Sequence, residues 1–340
     1  LSAGIDSSTV VALMQAQSKR KVRSFTIGMD NPEYNEAAYA KEIAKHLGTD
    51  HTELYISAQD AKDVIPKLSW IFGEPFADSS QIPTYLVSQM TREHVTVSLS
   101  GDGGDELFCG YTSYSSINRI WGKMRRYPYG IRKLVSQLLI GNPLIKNNQV
   151  LQTKAYLLGA KSPENLYELS NAQEASNLHI ALEKETYPYK HNSYPYGDIK
   201  DVQNSIMLMD MEVYHPDDIL VKVDRAAMAV SLETRVPMLD KDVVEFAWTI
   251  PMAYKKQGDK GKLILRDILY KYVPQNMMER PKKGFSIPIT QWLLTPALRE
   301  WAEALLDPQL IRQQGILNAD EVQRIWRDFV ENKNWRIQIW

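Results

Sequence analysis

The sequence predicts an α/β protein in which a doubly wound parallel sheet precedes a large, mostly helical C-terminal portion. Strand-like and helix-like segments alternate over the first hundred residues. After about Tyr111 the strand signals fade, and helices are expected over long stretches such as "PDDILVKVDRAAMAVSLE". This alternation is typical of a parallel sheet with helices on both faces. Two loops are rich in glycine, serine and aspartate: one follows a predicted strand and the other is of a type that normally does, and open α/β sheets bind their ligands beyond such strand ends.

The elements of the alternating region are predicted from hydrophobic spacing, capping residues and β-branched content. A helix with a serine N-cap is expected over "SSTVVALMQAQ", directly after the opening loop. The other predicted elements are strands over Val22–Met29, His51–Ser57 and His94–Ser100, and helices over Asn35–Gly48, Ala58–Phe72 and Gln81–Glu93. Gly48 is expected to end its helix because glycine adopts the left-handed conformation at no steric cost.

The composition is that of an ordinary globular protein. Of 340 residues, 44% are hydrophobic and 24% are charged. The formal net charge of -1 gives no overall field that would attract nucleic acid or an anionic membrane. Cys109 is the only cysteine, so no intrachain disulfide forms. Neither a signal peptide nor a long apolar run is present, so we expect a cytoplasmic protein.

The first glycine- and serine-rich loop is "SAGIDSS", Ser2 to Ser8, and the second runs from Ser100 to Glu106. A Walker A loop is excluded because the chain has no G-x-x-x-x-G-K-[ST] string. The dinucleotide fingerprint G-x-G-x-x-G is also excluded, because "GDGGDE" has Glu106 at its last glycine position. Neither loop is therefore one of the two common phosphate loops.

The residue types of "SAGIDSS" fit a phosphate accompanied by a cation. Small residues let backbone N–H groups approach a phosphate, and the hydroxyls of Ser2, Ser7 and Ser8 add donors. The helix that follows directs its positive end to the same place. Asp6 would repel phosphates unless a cation lies between them, and Mg²⁺ bound by carboxylate and phosphate oxygens removes that conflict.

The second loop places three acids within one turn of a strand end: Asp102, Asp105 and Glu106. Acids this close repel one another and raise each other's pKa unless a cation compensates. We therefore expect Asp105 to share a divalent ion with Asp6. The six histidines have no H-E-x-x-H or comparable spacing, which makes a zinc site an unfavoured alternative.

These two loops, "SAGIDSS" and "SGDGGDELFCGY", resemble those of the PP-loop ATP pyrophosphatases, in particular the synthetase domain of glutamine-dependent asparagine synthetases. Three further strings are similar to signatures of that family in the same order: "DDILVKVDRAAMAVSLETRVPMLD" (217–240), "KLILRDILYKYVP" (262–274) and "RPKKGFSIPITQWL" (280–293). The resemblance implies a PP-loop ATP-binding region over residues 1–112. A mostly helical region over residues 113–340 would complete the synthetase site.

The resemblance also implies a reaction. ATP would activate a carboxylate, with aspartate favoured, as an acyl-adenylate with release of pyrophosphate. Ammonia would then attack to give an amide, asparagine, and AMP. The implied site residues are Ser2, Gly4, Asp6, Ser7, Ser8, Ile27, Ser100 and Gly101 for ATP and pyrophosphate, Asp6 and Asp105 for Mg²⁺, and Asp102 and Lys262 for catalysis. Lys262 would stabilise the charge that develops between the α- and β-phosphates, and Asp102 would accept a proton from the attacking nitrogen.

The sequence departs from the family pattern at two of these positions. Ala3 stands where the family usually has glycine, so its backbone is expected to be either ordinary or slightly strained. Asp102 stands where the best-known members have glutamate, a change that we expect to be tolerated.

The chain is expected to be a fragment, because it begins inside a loop that normally follows a central strand. The family's N-terminal glutaminase domain is not in this sequence and would be its partner, so we expect ammonia to be the direct nitrogen source. A homodimer is a further expectation. Three alternatives stay open: a relative that amidates a sugar uronate or closes a lactam, a tRNA-modifying PP-loop enzyme, and a non-catalytic nucleotide-binding fragment.

Overall fold

The computed structural model describes residues 1–29, 35–145, 148–171, 180–182, 199–279, 287–336 and 339–340. The chain forms two compact units. The first combines Leu1–Tyr111 with Met207–Ile289, and the second combines Thr112–Ile206 with Thr290–Trp340. The first unit thus takes residues from well beyond the alternating region. The functional division predicted between residues 112 and 113 stays a prediction.

Four strands form two parallel pairs in the first unit. They are β1 (Arg23–Met29), β2 (Asp50–Ile56), β3 (Val97–Leu99) and β4 (Glu233–Arg235). β1 pairs with β2 from Arg23 opposite Asp50 to Met29 opposite Ile56, and β3 pairs with β4. The three predicted strands are confirmed, although β3 is shorter than expected. The fold is therefore mixed α/β with small parallel sheets.

Helices make up most of the remaining described structure. In chain order they are α1 Ile5–Gln17, α2 Ala37–Leu47, α3 Ala58–Phe72, α4 Gln81–Arg92, α5 Gly104–Leu107, α6 Thr112–Met124, α7 Tyr129–Ile140, α8 Gln149–Leu158, α9 Pro163–Asn171 and α10 Val202–Met209. After a π-helix over Asp210–Leu220 come α11 Val221–Met228, a 3₁₀ helix over Pro237–Leu239, α12 Lys241–Thr249, α13 Met252–Lys255, α14 Leu263–Leu269, α15 Gln275–Met278, α16 Ile289–Trp292, α17 Pro296–Leu305, α18 Pro308–Gln314 and α19 Ala319–Asn332. The first seven residues of the "RPKKGFSIPITQWL" motif lie outside the described residues.

Helix ends follow the capping signals in two cases and depart from them in a third. α3 has the predicted bounds, and Ser57 and Asp60 form a capping box at its start. Gly48 ends α2 in the left-handed conformation with φ 74°, as predicted. The serine N-cap predicted for α1 is wrong, because Gly4 is the N-cap and the helix begins at Ile5. The serines after Asp6 therefore lie in the first turn of α1.

The core of the first unit holds α1 against the C-terminal helices of that unit. Buried residues of α1, α2, α5, α12 and α14 form one cluster, and the turns next to these helices add to it. Leu107 of α5 and Leu269 of α14 are fully buried within it. This packing fixes the N-terminus of α1, α5 and the segment before α14 relative to one another.

The second unit is helical in its described part. α7 packs on α8, α6 and α8 both pack on α9, and α18 packs on α19. A small core of Ile311, Ala319 and Val322 is covered by Ile180, Leu306 and Leu317. In the described ranges, no helix of either unit is long and apolar enough to cross a membrane.

Lys255, in the first unit, is a buried cation at the end of α13. Its side chain is fully buried, and Nζ lies 5.1 Å from the ring centroid of Trp248. Burial lowers the pKa of Lys255 from 10.5 to about 8. The protonated form is therefore penalised in the folded state, in which a methionine of similar length would carry no such cost.

Replacing Lys255 by methionine is expected to raise the free energy of unfolding at pH 7 by about 1–2 kcal/mol. The folded parent loses its proton near pH 8, whereas the unfolded chain keeps it to about 10.5. The parent's stability therefore rises with pH across this interval, and its difference from the variant shrinks. Urea denaturation at pH 7 and pH 10 measures both effects. Lys271→Met, at an exposed position, is the control. A variant less stable than the parent at pH 7 would show that the ammonium is stabilising.

Candidate functional site

The two glycine-rich loops meet in the structure, as expected for loops whose acids Asp6 and Asp105 were predicted to share one ion. A Cβ on Gly101 would lie 2.6 Å from the backbone nitrogen of Ser7 and 2.9 Å from the carbonyl carbon of Asp6. A Cβ on Gly104 would lie 2.5 Å from Cγ of Asp6. Such distances are closer than van der Waals contact allows, so only glycine fits at either position. The second loop therefore packs directly on the first turn of α1.

The first loop is held in a tight conformation by its own serines. The Oγ atoms of Ser2 and Ser7 lie 2.9 Å apart, and the backbone nitrogen of Ser2 donates to Ser7 Oγ at 3.1 Å. Ala3 between them has φ 56°, in the left-handed region that favours glycine. The slight strain that the sequence allowed at Ala3 is therefore present. Ser2, Gly4 and Ser7 surround the N-terminus of a 13-residue helix, a position suited to an anion.

The same loop lies beside β1. The backbone nitrogen of Leu1 donates to the carbonyl of Phe25 at 2.7 Å, and Thr26 Oγ1 donates to the carbonyl of Leu1 at 2.6 Å. Ile27, the next residue of β1, is buried. The structure thus places the predicted adenine-binding strand end next to the predicted phosphate loop, while the role of Ile27 stays a prediction.

Lys262 joins both loops through its ammonium group. Its Nζ donates to Oδ2 of Asp6 and lies 2.7 Å from Oδ1 of Asp105. The residue is 5% exposed. Burial alone would lower the pKa of Lys262, but the carboxylates of Asp6 and Asp105 outweigh it and hold this pKa above its ordinary value. Three residues that the sequence predicted for one site are therefore in direct contact.

The main chain around Lys262 is strained. Lys262 has φ 59° as the N-cap of α14, and its backbone nitrogen donates to the carbonyl of Phe108 at 2.9 Å. Cys109, next to that carbonyl, has φ 56°. A Cβ on Gly261 would overlap the carbonyl oxygen of Cys109. Left-handed non-glycine residues cluster at functional sites, where the surrounding structure fixes them.

Gly110→Ala is expected to disrupt the Lys262 contacts. The added Cβ would overlap Oδ1 of Asp105 and Cε of Lys262, and it would lie 2.9 Å from Cα of Asp105. We expect the free energy of unfolding to fall by about 1–3 kcal/mol and nucleotide binding to weaken. Thermal unfolding and ATP titration measure the two effects.

Gly122→Ala is the matched control for this substitution, because a Cβ there meets nothing within 4 Å. It lies inside α6, where alanine is a better helix former than glycine, so the variant should be as stable as the parent or slightly more so. Equal behaviour of the two variants would contradict the crowding at Gly110.

The donors at the Lys262 site fit a magnesium ion held between protein carboxylates and phosphate oxygens. Asp6 and Asp105 converge on one point, which Nζ of Lys262 shares. In the described part of the chain, no group of three or more His, Cys, Asp or Glu side chains is arranged to hold a metal. A two-carboxylate site still suits Mg²⁺, which usually takes one or two carboxylates and completes its shell with phosphates and water.

Two buried hydroxyls near the loops lack hydrogen-bond partners among the described residues. They are the Oγ atoms of Ser8, in the first turn of α1, and Ser100, at the end of β3. Buried polar groups are normally paired, so these two are candidates to contact a bound group. The backbone nitrogen of Ser100 donates to the carbonyl of Arg235 at 3.0 Å, which extends the β3–β4 pairing to this residue.

Asp102 lies in the turn that connects β3 to α5. It is partly exposed, and Gly103 beside it has φ 84°. The turn places Asp102 between Gly101, which packs on Ser7, and Gly104, which packs on Asp6. Its position agrees with a role at the same site, and the general-base assignment stays a prediction.

Glu106 makes contacts that the sequence did not reveal. It is 1% exposed, accepts a hydrogen bond from Tyr111 Oη at 2.8 Å, and has Oε1 3.3 Å from Nδ1 of His215. Burial, followed by the charges of Glu106 and Asp105, raises the pKa of Tyr111, so this phenol stays protonated. The sequence placed Glu106 in the group of three acids, but it gave no indication that His215 would lie beside this carboxylate.

A π-helix beside α5 was also missed. A helix was expected over "PDDILVKVDRAAMAVSLE", which starts at Pro216, but helical structure already begins before the proline, as the π-helix Asp210–Leu220. Long π-helices are rare, and π-helical turns are frequent at functional sites. Polar residues recur at every fourth position, at Asp210, Tyr214, Asp218 and Lys222. This spacing is also that of one face of an α-helix, so it indicates a helix but not its π type.

Comparison with known proteins agrees with these motifs. A sequence model described as asparagine synthase matches residues 1–340. The chain is 31% identical over 340 residues to asparagine synthetase (glutamine-hydrolyzing) 1 of Bacillus subtilis, covering 98% of this chain and 52% of that protein. It is 32% identical over 312 residues to a putative asparagine synthetase (glutamine-hydrolyzing) of Mycobacterium bovis, covering 89% of this chain and 47% of that protein. A third relative, the putative asparagine synthetase (glutamine-hydrolyzing) 2 of Methanocaldococcus jannaschii, is 36% identical over 237 residues, covering 67% of this chain and 44% of that protein.

The chain spans about half the length of the curated relatives it matches. The family match covers both compact units, from the first loop to the last helix. The resemblance predicted from the five motifs is confirmed: the chain belongs to the asparagine synthase family.

Proposed function

We propose that this chain carries out ATP-dependent amide synthesis, with aspartate as the carboxylate, an acyl-adenylate as the intermediate and ammonia as the nucleophile. Membership of the asparagine synthase family supports ATP-dependent amidation in general. The observation that carries the proposal is the contact of Lys262 with both Asp6 and Asp105 at the N-terminus of α1. Pyrophosphate departure needs such a cation beside an anion-binding helix end.

The triphosphate is bound by the first loop and by α1. The backbone N–H groups after Ser2 and Gly4, with the hydroxyls of Ser7 and Ser8, would donate to the β- and γ-phosphates. Ser100 and Gly101 would border the α-phosphate and ribose, and the β1 end at Ile27 would border the adenine. Asp6 and Asp105 would hold Mg²⁺, which supplies charge neutralisation of the phosphates when bound.

Lys262 stabilises the charge that forms as the α–β bridging bond breaks. Its aliphatic chain is buried and its backbone is fixed by the Phe108 carbonyl, so little reorganisation is needed during the reaction. Its raised pKa keeps the ammonium protonated across the physiological range. A preorganised donor of this kind is worth roughly 3–4 kcal/mol in the transition state.

Asp102 accepts the proton from the attacking nitrogen. Ammonia attack on the acyl carbon forms the C–N bond and leaves a positively charged nitrogen, which must lose a proton as AMP departs. Asp102 is open to solvent and lies between two glycines that pack on the nucleotide loop. A positioned carboxylate in this role contributes roughly 10²–10⁴-fold.

We further propose that the two strand pairs belong to one doubly wound sheet of the PP-loop type. The rings of Phe25 in β1 and His94, just before β3, stack with centroids 5.6 Å apart, and this contact between the two pairs supports the arrangement. A cytoplasmic location, a glutaminase domain as partner and a homodimer complete the proposal. These three parts concern the whole protein and rest on the family resemblance.

The decisive experiment is pyrophosphate release from ATP with Mg²⁺, ammonium and a panel of carboxylates. We expect release to require aspartate and to stop when EDTA removes the magnesium. Release that depends instead on a uronic acid or a β-amino acid would assign the alternative substrates of family relatives. A folded chain that binds ATP but releases no pyrophosphate with any carboxylate would contradict the proposal and support a non-catalytic nucleotide-binding domain.

A further inference from the structure

A second charged group lies in the first unit, apart from Lys262. It consists of Asp78 from the α3–α4 connection, Asp218 from the π-helix and Lys222 from α11, and we call it the Asp78–Asp218–Lys222 cluster. Nζ of Lys222 donates to Oδ2 of Asp78 at 2.6 Å. The side chains of Lys222 and Asp78 are 11% and 21% exposed. The cluster is thus shielded but open to small solutes.

The cluster holds two carboxylates and one ammonium. Asp78 is satisfied by Lys222 and by Ser80, whose backbone nitrogen and Oγ both donate to it at 2.8 Å. Burial opposes its charge, but the ammonium of Lys222 and these hydrogen bonds keep the pKa of Asp78 below its ordinary value. Oδ1 of Asp218 is buried and accepts no hydrogen bond from the described residues. A hydrogen bond between the two carboxyl groups links Asp218 to Asp78. With both carboxylates and Lys222 ionised, the three residues together carry one negative charge that none of them balances.

Burial, followed by the charge of Asp78, raises the pKa of Asp218 to about 6. Lys222 opposes this shift but does not cancel it. An additional positive group between the two carboxylates would restore the balance of charge. The Lys222 ammonium repels a divalent ion about twice as strongly as it repels a singly charged ammonium, and an ammonium is also held by hydrogen bonds to the carboxylate acceptors.

Aromatic side chains connect the cluster to the nucleotide site. Tyr214 lies one turn before Asp218 on the π-helix, and its ring meets that of Tyr111 edge-on, with centroids 6.1 Å apart. Tyr111 donates to Glu106, which directly follows Asp105 in α5. Burial raises the pKa of Tyr214, and the charges of Asp218 and Asp78 add to this effect. Tyr214 and Tyr111 thus form a chain of contacts from the π-helix of the cluster to Glu106.

We propose that the Asp78–Asp218–Lys222 cluster is a subsite that binds a primary ammonium group of a substrate, with Asp218 as its main acceptor and Asp78 and Lys222 holding it in place. This inference rests on the proposed amidation. Two sources carry the same chemistry: the α-ammonium of an amino-acid acceptor, and the ammonium ion that supplies the nitrogen.

The test uses steady-state pyrophosphate release by the chain and its Asp218→Asn variant, with aspartate, succinate, ammonium chloride and ATP each varied in turn. For the α-ammonium source, we expect the KM for aspartate to rise roughly 10- to 100-fold, the range for losing a hydrogen bond to a charged group. The KM for ATP should not change, and neither should any pyrophosphate release with succinate, which has no ammonium. For the ammonium-ion source, the KM for ammonium should rise instead.

Asp224→Asn is the matched control, because it makes the same change at an exposed position on α11. It should leave every KM unaltered. If Asp218→Asn keeps the parent values for both aspartate and ammonium, the subsite is overturned. A fall in kcat at constant KM, together with a loss of thermal stability, would also overturn it, since it would show a purely structural ion group.

A second variant, Asp218→Glu, tests the proposal if Asp218→Asn does not fold. Asp218→Glu keeps the charge, so it should bind aspartate more weakly than the parent does but should still prefer aspartate to succinate. If the parent and Asp218→Glu both use succinate equally as well as aspartate, and their dependence on ammonium is unchanged, the subsite is excluded. A parent that releases pyrophosphate with no carboxylate would instead refute the proposed amidation itself, so the two failures are distinguishable.

Discussion

Replacing Lys262 by methionine is expected to lower the rate of pyrophosphate release by roughly 10²–10³-fold, the effect of removing one preorganised donor. Methionine keeps the length and packing of the buried chain and removes only the charge. The loss should be in kcat, because Lys262 acts on charge that develops as the phosphate bond breaks. Aspartate-dependent release at saturating ATP measures it.

The same substitution leaves Asp6 and Asp105 facing each other without their shared ammonium. Removal of one partner from a buried ion pair costs about 3–5 kcal/mol, so thermal unfolding must be followed alongside activity. Added Mg²⁺ should recover part of that stability, since it can bind between the two carboxylates. Lys260→Met is the control two residues away, where the lysine is half-exposed and pairs with Glu279 at 2.5 Å. Normal turnover by a folded Lys262→Met protein would contradict the assigned role.

Asp102→Asn is expected to reduce amide formation by roughly 10²–10⁴-fold, the contribution of a positioned general base. The first half-reaction should be much less affected. Isotope exchange between ATP and pyrophosphate in the presence of aspartate measures that half-reaction, and asparagine formation from ammonium measures the whole. The ratio of the two rates is therefore the diagnostic quantity.

Asp259→Asn tests the specificity of this effect, because it makes the same change in an exposed turn. Its two rates should match those of the parent. If Asp102→Asn lowers exchange and amide formation equally, Asp102 acts in adenylation and is not the base for the nitrogen.

Residue types and local spacing were sufficient to predict the elements that bear on the nucleotide loops. β1, β2 and α3 formed where β-rich runs and helical spacing predicted them, and α1 began slightly earlier than predicted. The meeting of Asp6 with Lys262 followed from the family resemblance alone, because no local pattern links residues 256 positions apart. The left-handed backbone of Lys262 also has no sequence signal, since tertiary contacts with Phe108 impose it.

Three local features differ from the sequence predictions, each for a physical reason. β4 is a three-residue strand, too short for an alternating pattern to stand out. The sequence predicts a helix from Pro216 onward because proline is typical of the first turn of a helix, whereas the π-helix begins at Asp210. The N-cap of α1 was assigned to serine because hydroxyl residues usually lead there, whereas the hydroxyls of Ser2 and Ser7 bond each other in the preceding loop.

The return of the chain to its first unit at Met207 has a consequence for biosynthesis. Asp6 and Asp105 leave the ribosome long before Lys262, and at about 5–20 residues per second the interval is roughly 10–30 s. During that time the two carboxylates of the nascent polypeptide have no lysine between them. The contact of Lys262 with Asp6 and Asp105 thus forms only after residue 262 has been translated, and polypeptides that terminate between residues 106 and 262 would contain both loops but not this lysine.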